Sequence, residues 1–163
     1  MITFEKPLVA HTAMLIRRPA HDCYEAFVDP RITSNFWFSD GSARLDSGER
    51  VVWTWAMYGA STEVAVKHLV ADRKIVVEWN HATLDATTVE WTFAERGNGA
   101  TFVDIVNYGF SGDGDGQIEK LIDTVGGFSL VLAGAKAWLE HNLRLRMIED
   151  RHPDMLVAGW GGK

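Results

Sequence analysis

The residues of this sequence that could perform acid–base or metal chemistry are scattered rather than grouped in a motif. The chain contains no dinucleotide-binding glycine pattern, no phosphate loop, no nucleophile elbow and no paired-histidine zinc helix. Its six histidines, none at metal-ligand spacing, are His11, His21, His68, His81, His141 and His152. We therefore assign no catalytic residue and no metal ligand, and we expect no cofactor.

His68 is the histidine with the strongest case for a chemical role. If its strand alternates regularly, His68 lies on the apolar side of a sheet, where an imidazole needs a hydrogen-bond partner. Asn107 falls on the same side of another strand and could supply that partner. The pair would either steer proton transfer on a bound substrate or form a satisfied structural contact in the core.

Two aspartates, Asp113 and Asp115, lie in a glycine-rich acidic loop over residues 111–116. A calcium loop would also need a third ligand and a distal glutamate, and the sequence supplies neither at the required spacing. The loop is therefore interpreted as a flexible turn that leads into the long helix described below.

Composition argues against several classes of partner. The net charge of −6 and the lack of a basic stripe argue against nucleic acid. No apolar run reaches the ~18 residues of a membrane span, and residues 1–7 lack a signal-peptide core, so we expect no membrane association. The single cysteine, Cys23, cannot form an internal disulfide, which fits a cytoplasmic location. Length predicts one domain over residues 1–153, followed by a glycine-rich tail over 154–163.

Apolar residues alternate with polar ones over much of the chain, which predicts antiparallel strands joined by short turns. We expect strands near residues 8–16, 43–45, 51–57, 62–68, 75–79, 88–93 and 102–107. One side of this sheet would face water. The other side would carry the bulky rings of Trp53, Trp55, Trp79, Trp91 and Phe93.

A long helix near the C-terminus is expected to cover the apolar side of the sheet. Apolar residues recur every three or four positions from Ile118 to Met147, and roughly thirty helical residues span about 45 Å. We expect Asp115 as the N-cap and Pro153 as the stop signal. The helix also contains Gly126, Gly127 and Gly134, although each glycine costs about 1 kcal/mol relative to alanine. Close packing on the sheet and space for a ligand are both adequate reasons for glycine here.

One antiparallel sheet, one long helix and two short helices near residues 21–28 and 31–35 together predict a two-layer α+β fold. A strongly curved sheet wrapped around a helix need not close completely. The aromatic face would then either fill the gap or line a cavity of the ~300–1,000 Å³ usual for small-molecule sites.

Short motifs in a fixed order resemble a known family. They are Ile16-Arg17-Arg18-Pro19, Cys23-Tyr24-Glu25-Ala26-Phe27, Asp29-Pro30, Phe36-Trp37-Phe38, Val77-Glu78-Trp79, Val89-Glu90-Trp91-Thr92-Phe93, Tyr108-Gly109-Phe110 and the run from Gly126 to Lys136. Over about residues 8–153 the chain resembles the START-like, or SRPBCC, superfamily, and within it bacterial homologues of the activator of heat-shock protein 90 ATPase. The resemblance implies a helix-grip fold, with a curved sheet around the C-terminal helix and a hydrophobic cavity between them.

The resemblance leaves three functions open, because fold does not determine function. The first is binding of a small apolar or aromatic molecule between the sheet and the helix. The second is a polyketide cyclase-like enzyme that uses His68 and Asn107. The third is protein interaction, either chaperone-associated in the stress response or as a homodimer through the tail and Leu130-Val131. The candidate ligand-binding residues are Trp53, Trp55, Met57, Val66, His68, Trp79, Trp91, Asn107, Phe128 and Leu132.

Overall fold

A seven-stranded antiparallel sheet forms the main layer of the computed structural model, which describes residues 2–161. The strands are β1 (Val9–Ile16), β2 (Asp40–Gly41), β3 (Arg50–Trp55), β4 (Ala60–Val70), β5 (Lys74–Trp79), β6 (Thr87–Arg96) and β7 (Ala100–Tyr108). Their order is β1-β7-β6-β5-β4-β3-β2. The first strand therefore pairs with the last, with Val9 opposite Tyr108 and Ile16 opposite Thr101.

The helices are α1 (Ala20–Val28), α2 (Pro30–Thr33), α3 (Gly114–His141) and α4 (Met147–Arg151). The boundary between α1 and α2 follows from the Asp29-Pro30 pair. Pro30 has the backbone angle that suits the first turn of a helix, and the Asp29 carboxylate accepts a hydrogen bond from the Arg31 backbone N–H at 2.9 Å. Both short helices expected after β1 are present.

The long helix begins and ends earlier than expected. Its N-cap is Asp113 rather than Asp115, since the Asp113 carboxylate accepts from the Gly116 N–H at 2.9 Å. It ends at His141 because Asn142 adopts a left-handed conformation and donates its backbone N–H to carbonyls of the last turn. Leu143 is consequently 53% exposed instead of facing the sheet. Pro153 opens a separate 3₁₀ turn, Pro153–Met155.

Two details of the strand prediction are also wrong. The short strand expected over residues 43–45 lies at Asp40–Gly41, where Gly41 packs so closely on Pro30 that a Cβ would come within 2.7 Å of the proline Cβ. Met57 lies in a 3₁₀ turn, Ala56–Tyr58, rather than at the end of β3, and its side chain is buried.

The core lies between the concave face of the sheet and α3, as the α+β helix-grip prediction requires. Trp53, Trp91 and Phe93 point inward and are buried, so the aromatic face is turned toward the helix. The helix contributes Phe128, Val131, Leu132 and Ala135, and α1 and the 36–38 segment close one end. Among the described residues, no helix combines the length and hydropathy needed to cross a membrane.

The glycines of α3 make room for groups other than the sheet. A Cβ on Gly134 would lie 3.1 Å from the Phe36 Cβ and 3.3 Å from its carbonyl oxygen, so this glycine permits close packing on the segment after α2. Cβ atoms on Gly126 and Gly127 would instead come within 2.8 and 3.0 Å of the Arg151 guanidinium. The Arg151 guanidinium therefore packs directly on the backbone of these two glycines.

Candidate functional site

A cavity of about 520 Å³ lies between the concave face of the sheet and the first half of α3. It occupies the end of the domain where β5 leads into β6 and where β7 leads into α3, and α4 closes one side. Its volume falls within the ~300–1,000 Å³ usual for small-molecule sites. It is lined by Trp37, Trp55, Tyr58, Ala60, Trp79, Asn80, Asp85, Thr87, Asn107, Phe110, Ser111, Lys120, Asp123, Thr124, Gly127, Phe128, Val131, Ile148, Arg151 and His152.

Aromatic side chains form the apolar wall of the cavity. The rings of Trp55 on β3 and Trp79 on β5 are parallel within 1°, with centroids 5.7 Å apart. Trp37 lies edge-on to both, at 6.0 and 5.5 Å, and Phe128 of α3 lies 5.8 Å from Trp79. Rings held by one another in this way give a rigid apolar surface that a flat molecule can contact without reorganising the wall.

A buried amide interrupts this apolar surface. Asn107 on β7 is 4% exposed, and its side-chain nitrogen donates to the Thr88 carbonyl oxygen of the neighbouring strand at 2.7 Å. It lies on the inward side of β7 in the same row as Val103 and Ile105. Asn107 is thus a fixed polar group in the inner part of the cavity lining.

The mouth of the cavity carries an ion pair that joins three segments. Lys120 of α3 donates to the Asp85 carboxylate at 2.9 Å and to the Ser111 carbonyl at 3.0 Å. Ser111 donates to the same Asp85 carboxylate at 3.2 Å. The hydrogen bond from Lys120 holds the pKa of the Asp85 carboxyl below its usual value. Together, Asp85, Ser111 and Lys120 connect the β5–β6 loop, the β7–α3 loop and helix α3.

Helix α4 covers the other side of the cavity and is held there by two polar contacts. Arg151 pairs with Asp123 of α3 at 3.1 Å and lies over Gly126 and Gly127. The Tyr58 hydroxyl donates to the Ile148 carbonyl oxygen, which attaches α4 to the turn after β3. The tail also returns to this turn, where the Val157 N–H donates to the Met57 carbonyl at 2.8 Å.

The structure places the ten candidate ligand-binding residues in three different environments. Four of them line the cavity, namely Trp55, Trp79, Asn107 and Phe128. Five lie in or against the packed core behind it, namely Trp53, Met57, Val66, Trp91 and Leu132. The tenth, His68, lies on the opposite face of the sheet.

The expected orientation of His68 is wrong because β4 contains a bulge. Val66 pairs with Val77 of β5, but His68 pairs with Val76, so one extra residue is inserted between them. A one-residue shift reverses which face each side chain occupies. His68 is therefore exposed, Leu69 takes the inward position, and Asn107 bonds Thr88 instead. His68 and Asn107 do not converge on one site.

Several lining residues were not among the candidates. Trp37 belongs to the three adjacent aromatics at 36–38, and its type and position gave a usable signal. Arg151 lies on α4, and the placement of α4 at the cavity depends on where the chain turns after α3. Periodicity gives no information about such turns.

The geometry defines a class of protein: an α+β helix-grip domain with a cavity between a curved antiparallel sheet and its C-terminal helix. Residues 17–140 match the family model described as activator of Hsp90 ATPase homolog 1-like protein. The chain belongs to this family, in agreement with the resemblance in its motifs. No curated protein matches the sequence.

Solved structures share the fold at low sequence identity. The protein SSP2350 from Staphylococcus saprophyticus is 25% identical, with a TM-score of 0.73 over 85% of this chain and 96% of the other. DynU16, from the dynemicin biosynthetic locus, is 16% identical, with a TM-score of 0.72 over 83% of this chain and 48% of the other. The Aha1 dimer from Colwellia psychrerythraea is 14% identical, with a TM-score of 0.68 over 82% and 97%.

Proposed function

We propose that this protein binds a small apolar or aromatic molecule in the cavity between the sheet and α3. The observation that carries the proposal is a cavity of about 520 Å³ whose wall is built from the mutually packed rings of Trp37, Trp55, Trp79 and Phe128. Exposing such rings to water is unfavourable, and an apolar ligand that covers them removes that cost.

The charges around the cavity favour a ligand without net charge. The lysine and the arginine that line the cavity are each paired with an aspartate. Lys120 lies 2.9 Å from Asp85, and Arg151 lies 3.1 Å from Asp123. A charged ligand would have to compete with these intramolecular partners. A neutral molecule can enter while both ion pairs remain intact.

A neutral fluorescent probe, N-phenyl-1-naphthylamine, tests binding directly. Thr124 is half-buried and lines the cavity, so Thr124→Trp fills it, and we expect probe affinity to fall at least tenfold. Ile122→Trp is the matched control, because Ile122 lies two residues away on the same helix and is 67% exposed. Native mass spectrometry of the protein as purified would identify any molecule carried from the cell. Equal affinity in both variants, or no probe binding and no carried molecule in the unmodified protein, refutes the proposal.

The cyclase-like alternative loses its proposed machinery, since His68 lies on the outer face of the sheet. A second candidate function is a chaperone-associated role in the cytoplasm, as in a stress response, and the family match is the observation that favours it. An ATPase assay with a bacterial heat-shock protein 90 homologue tests this role. Stimulation of the chaperone's ATPase rate supports the chaperone-associated role. An unchanged ATPase rate when this protein is in excess over the chaperone excludes that role.

Homodimerisation is proposed separately, on the similarity to the Aha1 dimer. The contact predicted from the sequence runs through Leu130-Val131 and the tail, but Val131 is 1% exposed and points into the domain, so this pair does not form an exposed contact surface. Leu143, between α3 and α4, and Met155, in the tail, are exposed apolar side chains that could form the dimer contact. Light scattering after size exclusion gives the mass in solution, and a monomer at all concentrations tested would exclude the dimer.

A further inference from the structure

Asn107 is a polar residue at a position where its own strand otherwise places apolar ones. The inward row of β7 runs Val103, Ile105, Asn107, and the first two are fully buried in the core. Asn107 itself is 4% exposed and lines the cavity. Its cross-strand neighbours are also apolar, Val89 on β6 and Ala10 on β1. An aliphatic residue would continue the core here, so the presence of an amide requires a reason.

The orientation of the amide is fixed by its hydrogen bond. The partner is the backbone carbonyl oxygen of Thr88, which can only accept, so the side-chain nitrogen of Asn107 must face it at 2.7 Å. The amide oxygen then points the other way. None of the hydrogen bonds described for residues 2–161 ends on this oxygen, and Trp91 Nε1 is the one buried side-chain polar atom among them that lacks a partner, so the Asn107 oxygen is open to the cavity that the residue lines. An acceptor that opens onto a mostly apolar cavity is available to a hydrogen-bond donor on a ligand, which takes the place of water there.

We propose that the Asn107 amide oxygen accepts a hydrogen bond from a hydroxyl group of the bound ligand. The inference rests on the proposed function and specifies its ligand as a neutral aromatic molecule that carries a hydroxyl, such as a phenol. A hydroxyl suits the site because it donates to the amide oxygen and can accept from the second amide N–H. The flat part of the molecule then lies on the wall formed by Trp55, Trp79 and Phe128.

Two probes of nearly equal shape test the assignment. 2-Naphthol carries the hydroxyl, and 2-methylnaphthalene replaces it with a methyl group. Both are measured by equilibrium dialysis against the full chain and against Asn107→Leu, which keeps the side-chain size but removes the amide. The quantity of interest is the affinity ratio of the two probes, because comparing this ratio between variants cancels their different hydrophobicity. We expect Asn107→Leu to reduce the preference for 2-naphthol about tenfold.

Thr124→Val is the matched control, since Thr124 is another polar residue in the lining and lies on the opposite wall, on α3. This variant should keep the ratio of the unmodified protein. If both probes bind and the ratio is the same in Asn107→Leu, or if Thr124→Val changes it equally, the inference is overturned while the proposed function stands. If neither probe binds the unmodified protein, the proposed function fails first.

A measurement on the unmodified protein covers the case in which Asn107→Leu does not fold. The side-chain amide signal of Asn107 in a ¹⁵N correlation spectrum should shift on addition of 2-naphthol and move much less with 2-methylnaphthalene. Equal shifts with the two probes contradict the proposed hydrogen bond.

Discussion

Replacing Trp37 by alanine should destabilise the protein more than replacing Trp55, a half-buried ring of the same cavity wall. Trp37 is 6% exposed, and its ring centroid lies 4.9 Å from that of Trp53, 5.5 Å from Trp79 and 5.6 Å from Phe128. Removing a buried aromatic side chain of this kind costs about 3–5 kcal/mol in unfolding free energy, because transfer energy is lost and a void is left. Since Trp37 also lines the existing cavity, that void enlarges it.

Urea unfolding followed by circular dichroism measures this loss. At a denaturant slope of about 2 kcal/mol per molar, the expected destabilisation lowers the midpoint by about 2 M. Trp55→Ala is the matched control, because Trp55 lines the same wall but is only half-buried, and we expect a loss of about 1–2 kcal/mol. If the two variants lose the same stability, or if Trp37→Ala loses less than its control, the depth of burial does not set what each ring of the wall contributes to stability, and the reasoning is refuted.

Three further predictions follow from contacts outside the cavity wall. Gly134→Ala should lower the thermal midpoint despite better helix propensity, because the new Cβ would lie 3.1 Å from the packed Phe36; a raised midpoint would contradict this. The Arg31 side chain holds the pKa of the Asp29 carboxyl below its usual value, so the charge stabilises the fold above the unfolded-state pKa of about 3.9 and the benefit is lost as pH falls through the lowered pKa. Asp29→Asn should therefore cost about 1 kcal/mol at pH 7 and progressively less as the pH falls below about 3.9, measured by urea unfolding; a cost independent of pH would exclude the charge as its cause. Burial raises the pKa of the Cys23 thiol to about 11, so Ellman's reagent at pH 8 should react with it only after unfolding, and rapid reaction of the folded protein would be inconsistent with its burial.

The order of strands and helices could be predicted from the sequence because each depends on local periodicity. Alternation of Trp53 with Thr54, or of Trp91 with Thr92, is enough to assign a strand and its buried face. The α+β helix-grip architecture follows, since one apolar sheet face and one long amphipathic helix have few ways to bury each other.

The parts that the sequence did not predict depend on single residues that change the local geometry. The bulge before His68 reverses the face of the rest of β4, although the residues themselves alternate without interruption. The left-handed conformation of Asn142 ends α3 at His141 rather than at Met147, about 1.7 turns early, and lets α4 fold back over the cavity. Periodicity alone therefore located Trp55, Trp79, Asn107 and Phe128 but gave no means of finding Arg151.

The pairing of the first strand with the last sets the timing of folding during synthesis. Residues of β1 have their sheet partners in β7, about ninety positions later in the chain, as with Met14 and Val103. While the ribosome is still adding the intervening residues, the edge of β1 has no neighbouring strand and must wait. Closing a loop of this length is slow compared with forming the hairpins in between. The nascent chain is thus most prone to aggregation until Tyr108 has emerged and β1 can pair with β7.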